Sequence, residues 1–559
     1  FVSVFVMVKY VLITGGVISG IGKGVLASST GLLLRQLGFN VTAIKIDPYL
    51  NIDAGTMSPF EHGEVFILDD GGEADLDLGN YERFMDITLG KDNNITTGKI
   101  YSKVIQSERE GKYLGKTVQV VPHICDAIQD WVEDVSKRPT SKDGPEPDIC
   151  IIELGGTIGD IESMPFVEAM RQFQFRVGRE NFALIHVSLI PVVSSGGEQK
   201  TKPTQSSVRS LRSLGLSPDM ILCRSEFPIS ETVKQKVSQF CHVREDHVLS
   251  VHNLSNIYHV PTSLIEQEHC QKLLGFLNLE CPDDILARTA SWKELAETVD
   301  TVQSFGDEET IRIAMVGKYT GLSDSYLSII KSITHSSIHL KKKTKIVWLD
   351  SETLEDESTP EYAQAWADLK SAHGILVPGG FGDRGVEGKI KSCQYARENK
   401  IPFLGICLGF QCAVIDFARN ILGWSDANSE EFNPDSKHKV VIFMPEGSKT
   451  HKGGTMRLGL RKAIFNDEDC QIFKLYGEQK EIEERHRHRY EVCPEFNEEI
   501  QAKGLKFVAR DETNKRMEIL ELKDHPYFVG TQFHPEMKTR PLHPSPPFVG
   551  LIQAASKLL

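Results

Sequence analysis

Residues 403–411 are Phe-Leu-Gly-Ile-Cys-Leu-Gly-Phe-Gln, a short apolar run that enters a Gly-x-Cys-x-Gly turn and continues into a helical pattern. This strand–turn–helix arrangement is typical of a nucleophile elbow with cysteine in place of serine. The glycines let the turn tighten, so the thiol of Cys407 should stand at a helix N-terminus, where the partial positive charge favours thiolate. The stretch predicts an α/β fold with a reactive cysteine. For an isolated cysteine, a small buried hydrophobic residue would be the commoner interpretation.

A second segment, near the end of the sequence, supplies partners for this thiol. Residues 532–536 are Gln-Phe-His-Pro-Glu. In an extended segment, residues two apart point to the same side. His534 and Glu536 can therefore act together, with the carboxylate orienting the imidazole that serves Cys407. The paired histidine and glutamate favour a catalytic cysteine over a structural one.

A glycine-rich loop follows the first apolar strand of the sequence. Residues 15–24 are Gly-Gly-Val-Ile-Ser-Gly-Ile-Gly-Lys-Gly and open a helix. Successive backbone N–H groups and Lys23 would cradle phosphates there. The loop departs from the Walker A pattern, because Gly16 is one residue too far from Gly22 and Gly24 replaces the Ser or Thr that would bind Mg²⁺. Without its placement between strand and helix, a plain tight turn would be an equal alternative.

Carboxylates must hold the metal if that hydroxyl is missing, and two candidates are present. Asp77 lies in an acidic run, and Glu153 ends the apolar strand 148–153 before a glycine-rich turn. An acid at the carboxyl end of a buried strand sits where α/β sheets bind ligands. Mg²⁺ takes such oxygen ligands and bridges nucleotide phosphates. Taken singly, each acid would be interpreted as a solvated surface charge.

A second anion-binding candidate is the segment Lys-Thr-Lys-Pro-Thr-Gln at 200–205. Two lysines and two hydroxyls in a proline-stiffened loop suit a triphosphate. In isolation, an exposed basic turn would be the simpler interpretation.

The 559 residues are too many for one core, and two α/β halves are visible. Apolar runs that alternate with helical patterns predict doubly wound parallel sheets, the first with a P-loop-like site. We predict an N-terminal extension at 1–6, a first domain at 7–283, an acidic linker at 284–309 and a second domain at 310–559.

Composition excludes several classes of protein. The net charge of −14 argues against broad binding of nucleic acid or anionic membranes. The 11 cysteines are scattered without CxxC pairs, which indicates a reducing, cytoplasmic setting and no structural zinc. The most apolar stretch, 183–193, is far shorter than the roughly 20 residues that a membrane span needs.

These motifs together resemble the CTP synthase family over nearly the whole sequence. The second half is similar to class I glutamine amidotransferases, through the Cys407 elbow and His534-Pro535-Glu536. Further motifs that carry the resemblance are 15–24, Lys45–Tyr49, His62–Val65, Asp75–Gly79, Glu153–Glu162, Lys200–Gln205, Pro378–Gly382 and Arg485–Tyr490. Phe410 stands where the family often has methionine, a change between two apolar residues.

The resemblance implies a two-site enzyme. ATP phosphorylates the 4-oxygen of UTP, and ammonia then displaces that phosphate to give CTP. The ammonia comes from glutamine hydrolysis in the other domain and travels through an internal tunnel. Mg²⁺, activation by GTP, feedback inhibition by CTP, a homotetramer and stacking of tetramers into filaments are implied in the same way.

Residue roles in the glutaminase half follow from the same resemblance. Cys407 forms a thioester with glutamine, His534 shuttles the proton and Glu536 orients His534. The backbone N–H groups of Gly380 and Leu408 form the oxyanion hole. The residues implied to hold glutamine are Gly380, Leu408, Gln411, Glu431 and Arg489.

Residue roles in the synthetase half are implied likewise. The expected ATP-binding residues are Gly20, Ile21, Gly22, Lys23, Gly24, Val25, Asp77 and Glu153, of which Asp77 and Glu153 also hold the metal. The expected UTP and CTP contacts are Ser19, Asp160, Ile161, Glu162, Lys200, Thr201, Lys202, Pro203, Thr204, Gln205 and Lys236. Residues 252–254 correspond to the adenine side, and Arg457 and Leu114–Gly115 are candidates for GTP activation and lid function.

Two other functions stay open at this point. One is a different ATP-dependent amidotransferase, against which the segments at 153–162 and 200–205 argue. The other is a non-catalytic filament or switch protein, which would be expected to lack Cys407, His534 or Lys23.

Overall fold

The structure is a computed structural model that describes residues 7–193, 197–444 and 456–558. The chain forms two compact units. The first contains the residues up to Ala54 together with Asp77–Asp300, and the second contains Gly55–Leu76 together with the residues from Thr301 onward. The domain boundaries predicted from the sequence stay a prediction, and the predicted extension at 1–6 lies outside the described residues.

Strands and helices are numbered along the whole chain. The strands are β1 (Lys9–Gly15), β2 (Val41–Asp47), β3 (Phe66–Ile67), β4 (Glu73–Ala74), β5 (Asn94–Thr96), β6 (Ile149–Leu154), β7 (Phe182–Leu189), β8 (Met220–Ser225), β9 (Val248–His252), β10 (Ile311–Gly317), β11 (Thr344–Asp350), β12 (Gly374–Val377), β13 (Phe403–Ile406), β14 (Asn428–Ser429), β15 (Lys439–Phe443), β16 (Arg457–Phe465), β17 (Glu481–His488), β18 (Tyr490–Val492), β19 (Leu505–Arg510), β20 (Met517–Leu522) and β21 (Phe528–Thr531). The α-helices are α1 (Lys23–Gln36), α2 (Pro59–His62), α3 (Leu76–Met85), α4 (Thr97–Arg109), α5 (Cys125–Val135), α6 (Met164–Val177), α7 (Lys202–Ser213), α8 (Glu231–Cys241), α9 (His259–Glu266), α10 (His269–Phe276), α11 (Ile285–Arg288), α12 (Ala290–Gln303), α13 (Leu327–Leu340), α14 (Tyr362–Lys370), α15 (Val386–Asn399), α16 (Leu408–Asn420), α17 (Gln471–Leu475), α18 (Asn497–Ala502) and α19 (Pro546–Ala555).

The first unit is built on a seven-stranded sheet in the order β5-β2-β6-β1-β7-β8-β9. Every pair of neighbours is parallel. The inner strands are buried along their length and almost wholly apolar, as expected for a sheet that helices cover on both faces. The glycine loop follows the central strand β1, whose neighbours β6 and β7 lie on either side. Parallel α/β sheets bind ligands at the carboxyl ends of such central strands.

The second unit contains a nine-stranded mixed sheet in the order β11-β10-β12-β13-β21-β20-β19-β16-β17. The five strands from β11 to β21 are parallel, which confirms the predicted α/β class. The remaining pairs are antiparallel, and the sequence analysis did not predict this extension. Antiparallel strands need no long crossover helix, and the helices between these strands, α17 and α18, have only 5 and 6 residues, so the alternating strand–helix pattern is weak here.

Residues 55–76 pack within the second unit. The carboxylate of Glu64 accepts a hydrogen bond from the backbone N–H of Ser328 at 2.8 Å. Arg485 and Arg487 of β17 pair with Asp69 at 2.5 Å and Glu73 at 2.9 Å. Three carboxylates therefore tie this early segment to a unit formed mostly by the later half of the chain.

The predicted acidic linker is largely helical, since it contains α11 and α12. Trp292 of α12 is buried, and its ring N–H donates to the carbonyl of Tyr258 at 2.9 Å. Within the described ranges, every helix is too short or too polar to cross a lipid bilayer.

Candidate functional site

Cys407 occupies a strained turn between β13 and α16. Its φ of 52° and ψ of −99° lie outside the conformations that non-glycine residues usually adopt. Its backbone N–H donates to the carbonyl of Thr531 at 2.7 Å. A Cβ on Gly409 would lie 2.0 Å from the carbonyl oxygen of Val377, so a larger residue cannot fit there. The strand–turn–helix arrangement agrees with the one predicted from residues 403–411.

His534 and Glu536 lie beside the elbow. Nδ1 of His534 is 2.7 Å from Oε1 of Glu536. A Cβ atom added to Gly379 would lie 2.9 Å from Cε1 of His534 and 3.5 Å from Cβ of Cys407. Both side chains therefore lie next to this glycine. Nε2 of His534 forms no hydrogen bond of regular geometry within the described ranges, and Cys407 lies close enough to act on the ring. The imidazole thus has one nitrogen held by a carboxylate and the other available to a reacting group.

The backbone that carries His534 and Glu536 is not the extended segment that we expected. Glu536 belongs to a single 3₁₀ turn, Pro535–Lys538, which begins directly after His534. Pro535 fixes its own φ and favours such a first turn. The turn brings the carboxylate back onto the imidazole, so the predicted pairing is present although its backbone basis was predicted wrongly.

The electrostatic surroundings favour a charged imidazole. Burial lowers the pKa of His534, but the carboxylate of Glu536 and the neighbouring Cys407 outweigh burial and raise that pKa to about 10. The imidazolium form can therefore persist well above neutral pH and can stabilise a thiolate beside it.

A cavity of about 90 Å³ adjoins the thiol within the second unit. Its polar lining includes Cys407, His534 and Glu536, and Gly379 and Gly380 form part of another wall. Pro59, Glu64 and Val65 also line it, so residues from the first hundred of the chain contribute to it. An ideal Cβ on Gly380 would lie 3.7 Å from Cδ2 of Leu408, which places the two predicted oxyanion-hole residues side by side.

Two buried lysines hold the glycine loop 378–382. Nζ of Lys389 donates to the carbonyl of Pro378 at 2.8 Å. Nζ of Lys318 donates to the carbonyl of Phe381 at 3.3 Å and also to that of Gly382. Burial lowers the pKa of Lys389 to about 7. Because the loop carbonyls are engaged by these ammonium or amine groups, its backbone conformation is fixed on both sides of Gly380.

Two of the residues predicted to hold glutamine, Glu431 and Arg489, lie next to the same loop. Oε1 of Glu431 accepts from the backbone N–H of Gly382 at 3.2 Å. The guanidinium of Arg489 lies 5.7 Å from the ring centre of Phe381. Nε2 of Gln411 donates to the carbonyl of Tyr490 at 2.9 Å. A carboxylate and a guanidinium thus stand near the cavity, as binding of a zwitterionic amino acid requires.

The first unit presents the glycine loop at the carboxyl end of β1. Gly20 and Gly22 have φ values of 71° and 91°, which L-amino acids with side chains rarely adopt. Lys23 begins α1, and its Nζ donates to the carbonyl of Gly156 at 2.7 Å. Burial lowers the pKa of Lys23. The loop and its lysine therefore stand at a helix N-terminus, the usual place for a phosphate.

Asp77 and Glu153 meet beside this loop, with Lys45 between them. Nζ of Lys45 lies 3.0 Å from Oε1 of Glu153 and also contacts Oδ2 of Asp77. Burial lowers the pKa of Lys45, but Asp77 and Glu153 outweigh it and hold that pKa well above its usual range. An ideal Cβ on Gly24 would lie 2.7 Å from Oδ1 of Asp77 and 3.5 Å from Oε2 of Glu153. The missing side chain of Gly24 leaves space beside the two carboxylates.

This donor set fits Mg²⁺ in part. Magnesium is commonly bound by one or two carboxylates together with substrate phosphates and water. No group of three or more metal-binding side chains occurs within the described ranges. Two acids next to the predicted phosphate loop would leave the other coordination positions to substrate phosphates and water.

The predicted nucleotide residues 200–205 differ from the proline-stiffened loop expected. Lys202 begins α7 and Pro203 occupies its first turn, where a missing N–H is tolerated. Thr204 is buried and donates to the carbonyl of Leu189 at 3.1 Å, and Gln205 donates to Oγ1 of Thr201 at 3.0 Å. The hydroxyl and amide groups are therefore partly engaged within the unit, whereas Lys202 is exposed.

Other predicted nucleotide residues are accessible. Nζ of Lys200 pairs with the carboxylate of Glu198 at 2.5 Å. The positive charges of Lys200 and of Lys236 on α8 both lower the pKa of Glu198. Oδ2 of Asp160 accepts from the backbone N–H of Thr157 at 2.9 Å. The remaining members of this set are exposed: Ser19, Ile161 and Glu162.

A cavity of about 380 Å³ lies next to the glycine loop of the first unit. Gly20, Ile21, Gly22 and Val25 line one side, and residues 252–254 line the other. The residues assigned to the adenine side therefore do face the predicted phosphate loop.

The two candidates for the GTP response have different surroundings. Nη2 of Arg457 pairs with Oε1 of Glu518 at 3.0 Å, and both side chains are almost fully buried. Leu114 is 90% exposed, with a φ of 52°. The guanidinium of Arg457 is therefore engaged inside the unit rather than presented to solvent.

Sequence reasoning missed three residues that contact the site. Lys45 lies between the two acids, Lys318 holds the loop at 380, and Nε2 of Gln532 lies 3.8 Å from Sγ of Cys407. Lys45 and Gln532 are inside quoted motifs, and Lys318 directly follows the apolar strand β10. Lys318 and Gln532 directly follow parallel strands and Lys45 lies two residues before the end of one, so closeness to the carboxyl end of a strand was the signal that could have identified them.

Two family models match the chain. One, described as the CTP synthase N-terminus, matches residues 9–279. The other, described as glutamine amidotransferase class-I, matches residues 322–554.

Similar proteins span nearly the whole chain. A CTP synthase of Dictyostelium discoideum is 60% identical over 99% of this chain and 99% of its own length. CTP synthase 1 of Homo sapiens is 57% identical over 98% of this chain and 92% of its own. Among solved structures, the glutaminase domain of Trypanosoma brucei CTP synthase with bound acivicin is 41% identical, covering 44% of this chain and 94% of its own, with a TM-score of 0.41.

Proposed function

The chain belongs to the CTP synthase family, and on that basis we propose that it catalyses the ATP-dependent, glutamine-dependent amination of UTP to CTP. The observation that carries this proposal is the presence of two groups of suitable side chains in one chain. A thiol, an imidazole and a carboxylate stand together in the second unit. A phosphate loop with two acids stands in the first.

The second unit supplies ammonia in this proposal. Sγ of Cys407 passes its proton to His534 and attacks the amide carbon of glutamine. The developing oxyanion is stabilised by the backbone N–H groups of Gly380 and Leu408. His534 then protonates the departing nitrogen, and water hydrolyses the thioester to release glutamate. Glu431 and Arg489 hold the ammonium and carboxylate of the substrate.

The first unit activates the pyrimidine. ATP binds at 20–25, with Lys23 directed at its phosphates and residues 252–254 on the base side. Transfer of the γ-phosphoryl group to the 4-oxygen of UTP creates a leaving group, which ammonia displaces to give CTP. Positive groups from Lys200, Lys202 and Lys236 hold the UTP triphosphate, and CTP inhibits by occupying the same triphosphate site next to 160–162.

Asp77 and Glu153 would hold Mg²⁺ in this scheme. The ion neutralises charge on the transferring phosphates when it is bound. Before a nucleotide binds, the ammonium of Lys45 balances the two carboxylates, because it contacts both of them.

The cavity beside Cys407 would be the first part of the path along which ammonia leaves. Pro59, Glu64 and Val65 line it, and they belong to the early part of the chain. We further propose a cytoplasmic homotetramer that GTP activates and that can stack into filaments, on the basis of the family alone.

The experiment that tests this function follows the absorbance change as UTP becomes CTP. The purified chain is given ATP and Mg²⁺ with either glutamine or ammonium, with and without GTP. Both nitrogen sources are expected to yield CTP, and GTP is expected to accelerate only the reaction with glutamine. No CTP from either source would reject the function. CTP from ammonium alone would reject the glutaminase half.

Changing Glu536 to glutamine should move the pH dependence of glutamine hydrolysis. Without the carboxylate, burial lowers the pKa of His534 from about 10, so the imidazolium is lost at a lower pH. The imidazolium is the acid form, present below its pKa, so the alkaline limb of the pH–rate profile should move toward neutral pH. We expect a loss of about 10²–10⁴-fold in kcat. Retention of the wild-type alkaline limb would contradict the role of Glu536, and unchanged CTP formation from ammonium is the control.

A further inference from the structure

Gln532 reaches the sulfur of Cys407 because of the register of two strands. β13 and β21 pair in parallel with Ile406 opposite Thr531, so Cys407 and Gln532 directly follow the ends of two adjacent strands. Nε2 of Gln532 lies 3.8 Å from Sγ, a length suited to a donor facing the large sulfur atom. Gln532 is 1% exposed, so its amide is almost wholly removed from bulk solvent.

Neighbouring groups decide which end of the Gln532 amide faces the sulfur. The carbonyl of Tyr490 can only accept, so the side-chain atom of Gln411 that lies 2.9 Å from it must be the nitrogen. That same nitrogen lies 3.2 Å from one end of the Gln532 amide, which must therefore be the oxygen. The remaining end, directed at Cys407, is the NH₂ group. This chain of contacts fixes the amide as a donor toward sulfur.

The sulfur thus has two polar neighbours, one hydrogen-bond acceptor and one hydrogen-bond donor. The carbonyl of Arg487 lies 3.7 Å from Sγ and can accept from the thiol S–H. Once the thiol is deprotonated it no longer donates to this carbonyl, and the N–H of Gln532 becomes its favourable neighbour. A hydrogen bond to the charged form of an acid stabilises that form.

We propose that Gln532 is a further catalytic residue, whose amide N–H donates to the sulfur anion of Cys407. In the step concerned, the S–H bond breaks, its electron pair stays on sulfur, and the proton forms an N–H bond at Nε2 of His534. Gln532 stabilises the anion until it attacks the amide carbon. The inference rests on the proposed function of Cys407 as the glutaminase nucleophile.

Other charged groups also influence this sulfur. They are the imidazolium of His534 with its partner Glu536, the amine of Lys389 from α15, and the guanidinium of Arg487, which is paired with Glu73 at 2.9 Å. None of them is altered when Gln532 is replaced by an uncharged residue. A change in the titration of the thiol in such a variant would therefore report the lost donor.

The test measures alkylation of Cys407 by iodoacetamide across pH, read by mass spectrometry of the peptide that contains it. Alkylation consumes thiolate but needs no oxyanion hole, so it isolates the state of the sulfur. In Gln532→Met we expect the midpoint to rise by about one to two pH units, with a loss of about 10–100-fold in kcat/KM for glutamine. CTP formation from ammonium should stay unchanged.

Thr531→Val is the matched control. Its hydroxyl donates to the carbonyl of Phe533 at 3.0 Å, so this variant also loses a buried hydrogen bond one residue away, but none to sulfur. Its alkylation midpoint should match that of the wild type. Gln532→Glu keeps the shape of the side chain and places an acceptor at the sulfur, and it should raise the midpoint at least as far as Gln532→Met.

The proposal is overturned if Gln532→Met and Gln532→Glu both alkylate with the wild-type midpoint and both keep kcat/KM within about twofold. It is also overturned if Thr531→Val shifts the midpoint equally. These failures are distinct from a failure of the proposed function, because in that case the wild-type chain itself would not hydrolyse glutamine.

Discussion

Replacing Cys407 with alanine should abolish CTP formation from glutamine and leave CTP formation from ammonium within about threefold of the wild-type rate. Among the described residues that line the cavity, Cys407 carries the one thiol, next to an imidazole whose Nδ1 lies 2.7 Å from the carboxylate of Glu536. Removal of the nucleophile from such a set of residues costs on the order of 10⁶-fold in kcat. Ammonia supplied in solution bypasses this step.

Cys412→Ala is the matched control for this variant. Cys412 lies on the same helix, α16, and burial raises the pKa of its thiol to about 12, so it is not a nucleophile at neutral pH. It should retain glutamine-dependent synthesis. If the Cys407 variant makes CTP from glutamine at the wild-type rate, the assignment of the nucleophile is wrong.

Replacing Lys23 with methionine should abolish CTP formation from both nitrogen sources. Lys23 is nearly buried at the start of α1, and its ammonium lies at the glycine loop, 2.7 Å from the carbonyl of Gly156. Loss of one preorganised group that stabilises charge in a transition state costs about 10²–10³-fold in kcat. Basal hydrolysis of glutamine should persist within about threefold, because its groups lie in the other unit.

Lys9→Met is the control at the opposite end of the same strand, β1. Its ammonium contacts Oδ1 of Asn181 at 2.7 Å, away from the carboxyl end where the glycine loop begins. This variant should keep both reactions. Synthesis from ammonium that survives in Lys23→Met would remove Lys23 from phosphoryl transfer. Together, the Cys407 and Lys23 variants should separate the two chemistries completely.

The sequence predicted those parts of the fold and site that depend on local pattern. The elbow at Cys407 follows from glycine spacing, and the strand before the glycine loop follows from continuous apolar character. Asp77 and Glu153 could be proposed together because Gly24 lacks the hydroxyl that would bind Mg²⁺, so carboxylates had to be the predicted metal ligands. In the structure, Lys45 contacts both acids.

Features that depend on long-range packing could not be predicted in this way. Residues 55–76 join the second unit through pairs such as Asp69 with Arg485, separated by more than 400 residues. The antiparallel part of the second sheet has only the short helices α17 and α18 between its strands, so the helical pattern that marks a doubly wound sheet is weak there. We expected an extended backbone at His534 and Glu536, but residues 535–538 form a 3₁₀ turn. This turn, and not the alternation of side chains along a strand, brings Glu536 to His534.

Gln532 shows the same limit at the level of one side chain. Its place beside Cys407 depends on the pairing of two strands about 120 residues apart, and its orientation depends on Gln411 and the carbonyl of Tyr490. Sequence pattern indicated the segment but not the residue within it that meets the sulfur.

The central claim is that nitrogen freed at Cys407 becomes the amino group of CTP. The most direct measurement supplies the chain with UTP, ATP, Mg²⁺, GTP and glutamine labelled with ¹⁵N at the amide, together with unlabelled ammonium in solution, and determines the ¹⁵N content of CTP by mass spectrometry. The account predicts CTP far richer in ¹⁵N than the ammonium in solution, and no label in CTP made by Cys407→Ala. CTP with the isotopic composition of the bulk ammonium, or label retained in that variant, would contradict it.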